Sequence, residues 1–233
     1  MDAMCGRYSG PPQEPIIQAF DVQVVTAAAP ASANVCPTQE VSIVADTSQP
    51  GRRGPAVIGD ADATVRELRT ARWGLVPSWS RAIDPRRLLI NARSETVTEK
   101  PSFRAAAAAR RAIVPAMGYY EWAAEGSRKV PYFLHPDDDA VIGFAGLYEW
   151  WHNAAADDWL CSMTIITRPA TDALGHIHDR MPVVVPAGLV DDWLSPSIKN
   201  LADVETLLAA MPDPVLVPVP APALALVPKA PAR

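Results

Sequence analysis

Between residues 112 and 168 the chain spells out four apolar or β-branched runs in quick succession. AIVPAMGYYEW (112–122), VPYFLH (130–135), AVIGFAGLYEWW (140–151) and DWLCSMTIITR (158–168) each read as a strand. The acidic turn Pro136-Asp137-Asp138-Asp139 divides the second from the third. This stretch commits the chain to a sheet. More strands surround it: EVSIVAD from residue 40, TVRELRTARWGLVPSW (64–79) broken at Gly74 and Pro77, LLINARSE (88–95), and VVVP (183–186). Helices are expected at 12–20, 171–177, 187–194 and 200–211. The clearest is PSFRAAAAARR (101–111), with Pro in its first turn and Arg at its C-terminal end. Residues 21–33 and 46–62 read as loops.

Length and composition set outer limits. A chain of 233 residues, 49% hydrophobic and 20% charged, can bury one large core and is not disordered overall. No run of 18 apolar residues is present, and the N-terminus lacks a signal-peptide layout, so a cytoplasmic protein with no membrane span is expected. The cysteines, at 5, 36 and 161, form no CxxC pair and suggest neither a zinc ribbon nor a disulfide framework. Net charge is −5, yet residues 66–129 hold 13 Lys/Arg against 6 Asp/Glu, a local excess of seven positive charges. That basic middle is either an anion-binding face or a set of Arg-rich surfaces with no ligand. The tail, 212–233, carries seven prolines and cannot be a regular helix or central strand throughout. Its first part is expected to pack as an extended edge segment, and its end to be disordered.

Several residues carry reactive chemistry. Met4-Cys5-Gly6-Arg7-Tyr8 holds a cysteine almost at the terminus. If Cys5 becomes the first residue, its α-amine and thiol form a 1,2-aminothiol, which condenses with an aldehyde to a thiazolidine. Both groups titrate within about two units of neutrality and need little activation. Asn91 and Arg93 offer an amide and a planar cation suited to phosphate or sugar oxygens. Glu121, between aromatics, is a candidate for a raised pKa and for general acid or base work. His178 can shuttle a proton near pH 7, and Arg7 and Arg180 add positive charge. Trp73 and Trp79 flank the Gly/Pro bend as core anchors or base-stacking platforms. Each has a plain alternative: an inert thiol, a Glu paired with a core Arg. His176 and His178 have metal-like spacing, but no third ligand stands near, so no metal site is expected. No P-loop, dinucleotide fingerprint or nucleophile elbow is present.

Taken in order, MCGRY, NVCPTQ, ARWGLVPSW, INARSET with PSFR, GYYEW, FAGLYEWW, TIITRPA and HDRMPVVV resemble the motif series of the SOS-response-associated peptidase (SRAP) family, the abasic-site processing proteins. The resemblance runs from Met4 to about Leu194. It implies a single α+β domain with a strongly bent antiparallel sheet or barrel-like core, and an enzyme that reacts covalently with abasic sites in single-stranded DNA, with possible lyase activity. By motif, Cys5, Asn91, Glu121 and His178 match the catalytic set. Arg7, Arg93 and Arg180 match DNA contacts, and Pro37, Trp73 and Trp122 are expected to wedge or stack against neighbouring bases. The partner it implies is single-stranded DNA containing abasic sites, with the protein at the nucleoid when bound. No cofactor is implied, and a monomer is expected. Two features depart from the pattern. Residues 1–3 precede Met4 and are expected to be a mis-assigned or removed leader. A Pro/Ala-rich tail from 213 follows a catalytic domain spanning 4–212. Two rivals stand beside this reading: a thiol peptidase that removes its own leader, and a non-catalytic single-strand binder.

Overall fold

Five strands close into a barrel. In the computed structural model, which describes residues 6–55, 64–126, 128–171 and 177–221, β4 (Glu40–Thr47) pairs antiparallel with β5 (Val65–Trp73) over eight residue pairs. On its other edge β4 touches β7 (Arg111–Ala116) at Val44 and Ile113. Strand β7 pairs with β10 (Ile142–Asn153), and β10 with β11 (Asp158–Pro169). A short parallel pairing of Ser162 with Arg72 and Met163 with Trp73 returns β11 to β5 and closes the ring. Around it sit β2 (Val24–Val25) beside β5, β6 (Asn91–Arg93) and β12 (Arg180–Pro182) beside β11, and β13 (Val184–Val185) beside β10. The expected α+β class with a barrel-like core is the architecture found.

A second sheet lies against the barrel. Its order is β14 (Val217–Pro220), β9 (Arg128–His135), β8 (Gly118–Glu125), β1 (Tyr8–Gly10), β3 (Ser32–Val35). The alternation of barrel strands feeds two cores. Val41, Ile43, Ala71, Trp73, Val114, Phe144, Met163 and Ile165 pack with Tyr8, Tyr119 and Leu134 of the second sheet. Val44, Leu68, Ile113, Leu147 and Ile166 pack with the helices. These are α1 (Gln13–Phe20), α2 (Arg104–Ala109), α3 (Val190–Leu194) and α4 (Leu201–Ala210). Helix α1 buries Ile16 and Phe20, one turn apart, and stops at Asp21 in the left-handed region. Asn200 caps α4 by accepting from the Ala202 amide. Among the described residues no helix is long and apolar enough to cross a membrane.

Three expectations needed correction. Residues 112–122 are two strands, because the chain turns a corner at Gly118 and leaves the barrel for the second sheet. The Ala-rich helix is shorter than 101–111: Arg111 pairs with Leu147 as the first residue of β7. Its guanidinium still donates to the Ala107 and Ala108 carbonyls, so the cation serves the helix end from the next strand. Residues 21–33 are not all loop, since they contain β2 and the start of β3. The tail's first part does form an edge strand, β14, on β9. The helix at 171–177 and the end of the tail fall largely outside the described residues.

The basic middle divides into frame and surface. Arg66 bridges Asp46 and Asp191 at 2.9 and 2.8 Å, Arg69 lies 3.4 Å from Glu67, and Arg110 meets Glu149 at 2.7 Å. Buried Arg111 also donates to the Trp193 carbonyl at 2.7 Å. These charges hold strands and helices together. Arg81, Arg86, Arg87, Arg93, Lys100, Arg104, Arg128 and Lys129 remain exposed.

The Gly118 corner makes a direct prediction. A Cβ there lies 2.5 Å from the Leu134 carbonyl and 2.9 Å from the Cβ of His135, on a neighbouring strand with little room to yield. Gly118→Ala is expected to cost about 3 kcal/mol, the upper end of overpacking penalties. Urea unfolding checks it; an unchanged midpoint contradicts it.

Candidate active site

Trp73 gathers the candidate residues, and it does so from inside. It is fully buried. Its Nε1–H donates to the Ile90 carbonyl at 2.9 Å, one residue before Asn91. The Tyr8 ring packs against it in a T-shaped arrangement, ring centroids 5.3 Å apart. Its backbone N–H donates to the Gln39 carbonyl, and its carbonyl accepts from Thr38, which locks the Cys36–Gln39 turn carrying Pro37. Thr38 sits at φ 74°, and Cys36 donates its amide to Gln39 Oε1 to complete the turn. The expectation that Trp73 stacks on DNA is therefore corrected: a fully buried indole has no face to offer a base.

Strand β1 brings the N-terminal segment to Glu121. Tyr8 lies opposite Tyr119, and Ser9 opposite Gly118. The Tyr120 amide donates to the Arg7 carbonyl at 2.9 Å. Glu121 follows on β8, 3% exposed and opposite Tyr132. Arg7 reaches Asn34 Oδ1 at 3.1 Å, and the Tyr120 hydroxyl donates to the Ala33 carbonyl at 2.8 Å. The described chain begins at buried Gly6; Cys5 lies outside the described residues, as does His176. Trp122 is half-buried on β8 across from Pro131, and Pro37 is half-buried in its turn.

Strand β11 carries the other half. Asn91 and Arg93 lie opposite Ile165 and Thr167 in β6, Asn91 half-buried and Arg93 exposed. Ile90, which precedes Asn91, and Ile177, which precedes His178, belong to the same buried cluster as Tyr8, Trp73 and Tyr119. So the segments bearing Arg7, Asn91, Glu121 and His178 converge on one core. Two contacts meet at His178 Nδ1: the Arg180 amide at 3.1 Å and Asp179 Oδ1 at 2.9 Å. They are alternatives. A neutral ring with its proton on Nε2 accepts from the amide, and a protonated ring donates to Asp179.

Arg180 is 8% exposed and built into the frame. It makes a two-pronged ion pair with Glu95, one contact at 2.9 Å, and donates to the Thr167 carbonyl at 2.7 Å. A phosphate contact from this guanidinium competes with Glu95. Nothing in the sequence pairs Glu95 with Arg180, a partnership that joins β12 to the segment after β6. Cys161 is no rival nucleophile: burial pushes its thiol up to about 12. Cys36 is half-buried, with Sγ 3.6 Å from Asn34 Oδ1.

This arrangement has relatives. Residues 4–222 match the family described as SOS response associated peptidase (SRAP), and the chain belongs to that family. Within it, the abasic site processing protein YoaM of Bacillus subtilis is 32% identical over 209 residues, covering 88% of this chain and 85% of its own. The abasic site processing protein HMCES of Xenopus tropicalis is 33% identical over 157 residues, 58% of this chain and 47% of its own. Among solved structures, a Bordetella bronchiseptica protein superposes with TM-score 0.73 at 28% identity, covering 94% of this chain and all of that one.

The Glu95–Arg180 pair predicts an acid limit. Its guanidinium partner holds the Glu95 carboxyl down at about 2, against an ordinary value of 4.5. The folded form thus favours ionised Glu95. Its contribution is complete above about pH 4.5 and disappears as pH falls toward 2. Glu95→Gln is expected to cost about 1–2 kcal/mol near pH 7, moderated because the carboxylate is partly in water, and to flatten the loss of stability across that window. Unfolding midpoints from pH 6 to 2.5 check this; parallel curves for wild type and variant contradict it.

Proposed function

We propose that this protein captures abasic sites in single-stranded DNA as a covalent protein–DNA crosslink through Cys5. The ring-opened deoxyribose presents an aldehyde at C1′. The α-amine of Cys5 adds to it and water leaves, giving an imine. The thiol of Cys5 then adds to the imine carbon, its proton passes to nitrogen, and a thiazolidine closes. The net change is the loss of one water, and the chemistry needs neither metal nor cofactor. Glu121 moves the protons of imine formation, and His178 promotes sugar ring opening or crosslink reversal. Asn91, Arg93 and Arg7 hold the sugar and its phosphates, with Pro37 and Trp122 against the adjoining bases. The imine also acidifies the C2′ proton, so β-elimination with strand cleavage is the side path. A lesion without a base spares the enzyme the cost of extruding one.

One observation supports this reading above the others. The Arg7 backbone, two residues from Cys5, is hydrogen-bonded to Tyr120, the neighbour of Glu121. Relatives named abasic site processing proteins support the substrate class. The mechanism requires a free α-amine on Cys5, and so the absence of Met1–Met4 from the active protein. The family's description as a peptidase favours a second reading, thiol-dependent removal of that leader.

A denaturing gel tests both. Protein beginning at Cys5 is incubated with single-stranded DNA bearing one abasic site. A heat-stable shifted band is expected, lost in Cys5→Ala and slowed roughly 100-fold or more in Glu121→Gln. No shifted band contradicts the reading; protein that still carries Met1–Met4, run in parallel, favours the peptidase if it releases that leader without any DNA adduct.

A further inference from the structure

Two arms of the candidate site are joined by a residue that the chemistry above does not use. Asn91 and Arg93 arrive on β6, and His178 just ahead of β12. Both strands meet β11 at Thr167: Arg93 lies opposite it in the parallel pairing and Pro182 in the antiparallel one. Glu95 stands two residues beyond Arg93, and Arg180 two residues beyond His178. The carboxylate takes both prongs of the guanidinium, one at 2.9 Å. Arg180 also donates to the Thr167 carbonyl at 2.7 Å and to its hydroxyl at 3.3 Å. The Ser94 amide donates to the same carbonyl at 2.8 Å. One oxygen of β11 thus receives a bond from each arm, and the ion pair closes the bridge over it.

The bridge ends beside the groups that act. The Arg180 amide donates to His178 Nδ1 at 3.1 Å, and the Asp179 carbonyl accepts from the Ala170 amide at 2.9 Å. The turn that carries the imidazole is therefore tied down next to the ion pair. On the other arm the Ser94 hydroxyl donates to Glu95 at 3.0 Å, adjacent to Arg93. Glu95 is at most about 7 Å along the chain from Arg93, and Arg180 the same from His178. The side chain of Glu95 is 44% exposed and that of Arg180 9%, so the acid reaches in from the rim to hold a buried cation. A carboxylate is the acceptor that meets a guanidinium on two oxygens. The pairs of Arg66, Arg69 and Arg110 join parts of the frame; this one joins the two segments that bear site residues.

We infer that Glu95 is a positioning residue for the reaction: through Arg180 it fixes Arg93 and His178 relative to one another across β11. It touches neither sugar nor phosphate. It sets the spacing between the cation that holds the DNA backbone and the imidazole that moves the proton. Displacing such a group by about 1 Å costs about 100-fold in rate. That role rests on the reading of Arg93 and His178 given above. A carboxylate that merely competed with DNA phosphate for Arg180 would behave in the opposite way, and its removal would tighten binding.

The test is single-turnover formation and reversal of the crosslink, with protein beginning at Cys5 and an abasic single-stranded oligonucleotide, well below the melting temperature of every variant. His178→Ala identifies which of the two steps uses the imidazole. Glu95→Gln is expected to slow that same step about 10- to 100-fold, with affinity for an undamaged oligonucleotide kept within about threefold of the wild type. The double variant Glu95→Gln/Arg180→Gln is expected to be no slower than Arg180→Gln alone, because the acid acts through that cation. Glu149→Gln, which breaks the Arg110 pair in the frame, is the control for lost stability and keeps the wild-type rate. The result for Glu95→Gln, at the exposed partner, stands by itself if the Arg180 variant does not fold. A wild-type rate in Glu95→Gln overturns the inference, as do tighter DNA binding without a slower step, additive losses in the double variant, or an equal slowing in Glu149→Gln. Normal crosslinking with unaffected variants removes this inference alone; a wild type that forms no adduct removes the covalent reading and the inference with it.

Discussion

The Trp73 indole is the contact on which the rest of the structure depends. It bonds Ile90, receives the Tyr8 ring and, through its backbone, fixes the turn that carries Pro37. Three segments far apart in sequence therefore share one rigid centre. A buried Trp that satisfies its N–H makes both a large apolar contact and a directional bond. The Ile90 carbonyl also accepts from the Ile165 amide at 3.0 Å, which ties the same point to β11. Residues on either side of such a joint inherit its precision.

The two sheets have separate duties around this joint. The barrel holds Asn91 and Arg93 through β6 on β11, and Arg180 through β12 on the same strand. The second sheet holds β1 against β8, and with it Arg7 against Tyr120. Gly118 is where one chain passes between them, and the near absence of room for a side chain there shows how closely they pack. The ion pairs of Arg66, Arg69 and Arg110, the second buried and the others half-buried, stiffen the frame. Arg93 and the arginines of the β5–β6 loop stay exposed outside that frame.

Much of this was legible in the sequence, for physical reasons. The strands from 112 to 168 announce themselves by apolar runs and turn residues, and the site segments by reactive types at strand ends. The closing pair of β5 and β11 was not legible, because a two-residue parallel register leaves no local signal. The corner at Gly118 had a signal, a glycine inside an apolar run, but a continuous strand explains the same letters. The alanine run overstated its helix because Arg111 gains more by pairing in β7 than by extending α2. Trp73 and Trp79 look alike beside a Gly/Pro bend; one is the centre of the core and the other stands in solvent. Composition could not separate the arginines of the frame from those of the surface, since burial alone distinguishes them.

The central claim is that a site organised around Trp73 bonds DNA through the first cysteine. Mass spectrometry of the digested adduct tests it most directly. Protein beginning at Cys5 is reacted with abasic single-stranded DNA, digested with protease and nuclease, and the modified peptide sequenced. The account predicts one adduct, on the peptide whose first residue is Cys5, with the mass of peptide plus sugar phosphate less one water. It also predicts resistance to borohydride, because a closed thiazolidine has no imine to reduce. An adduct on a lysine, or an unmodified N-terminal peptide, would contradict it.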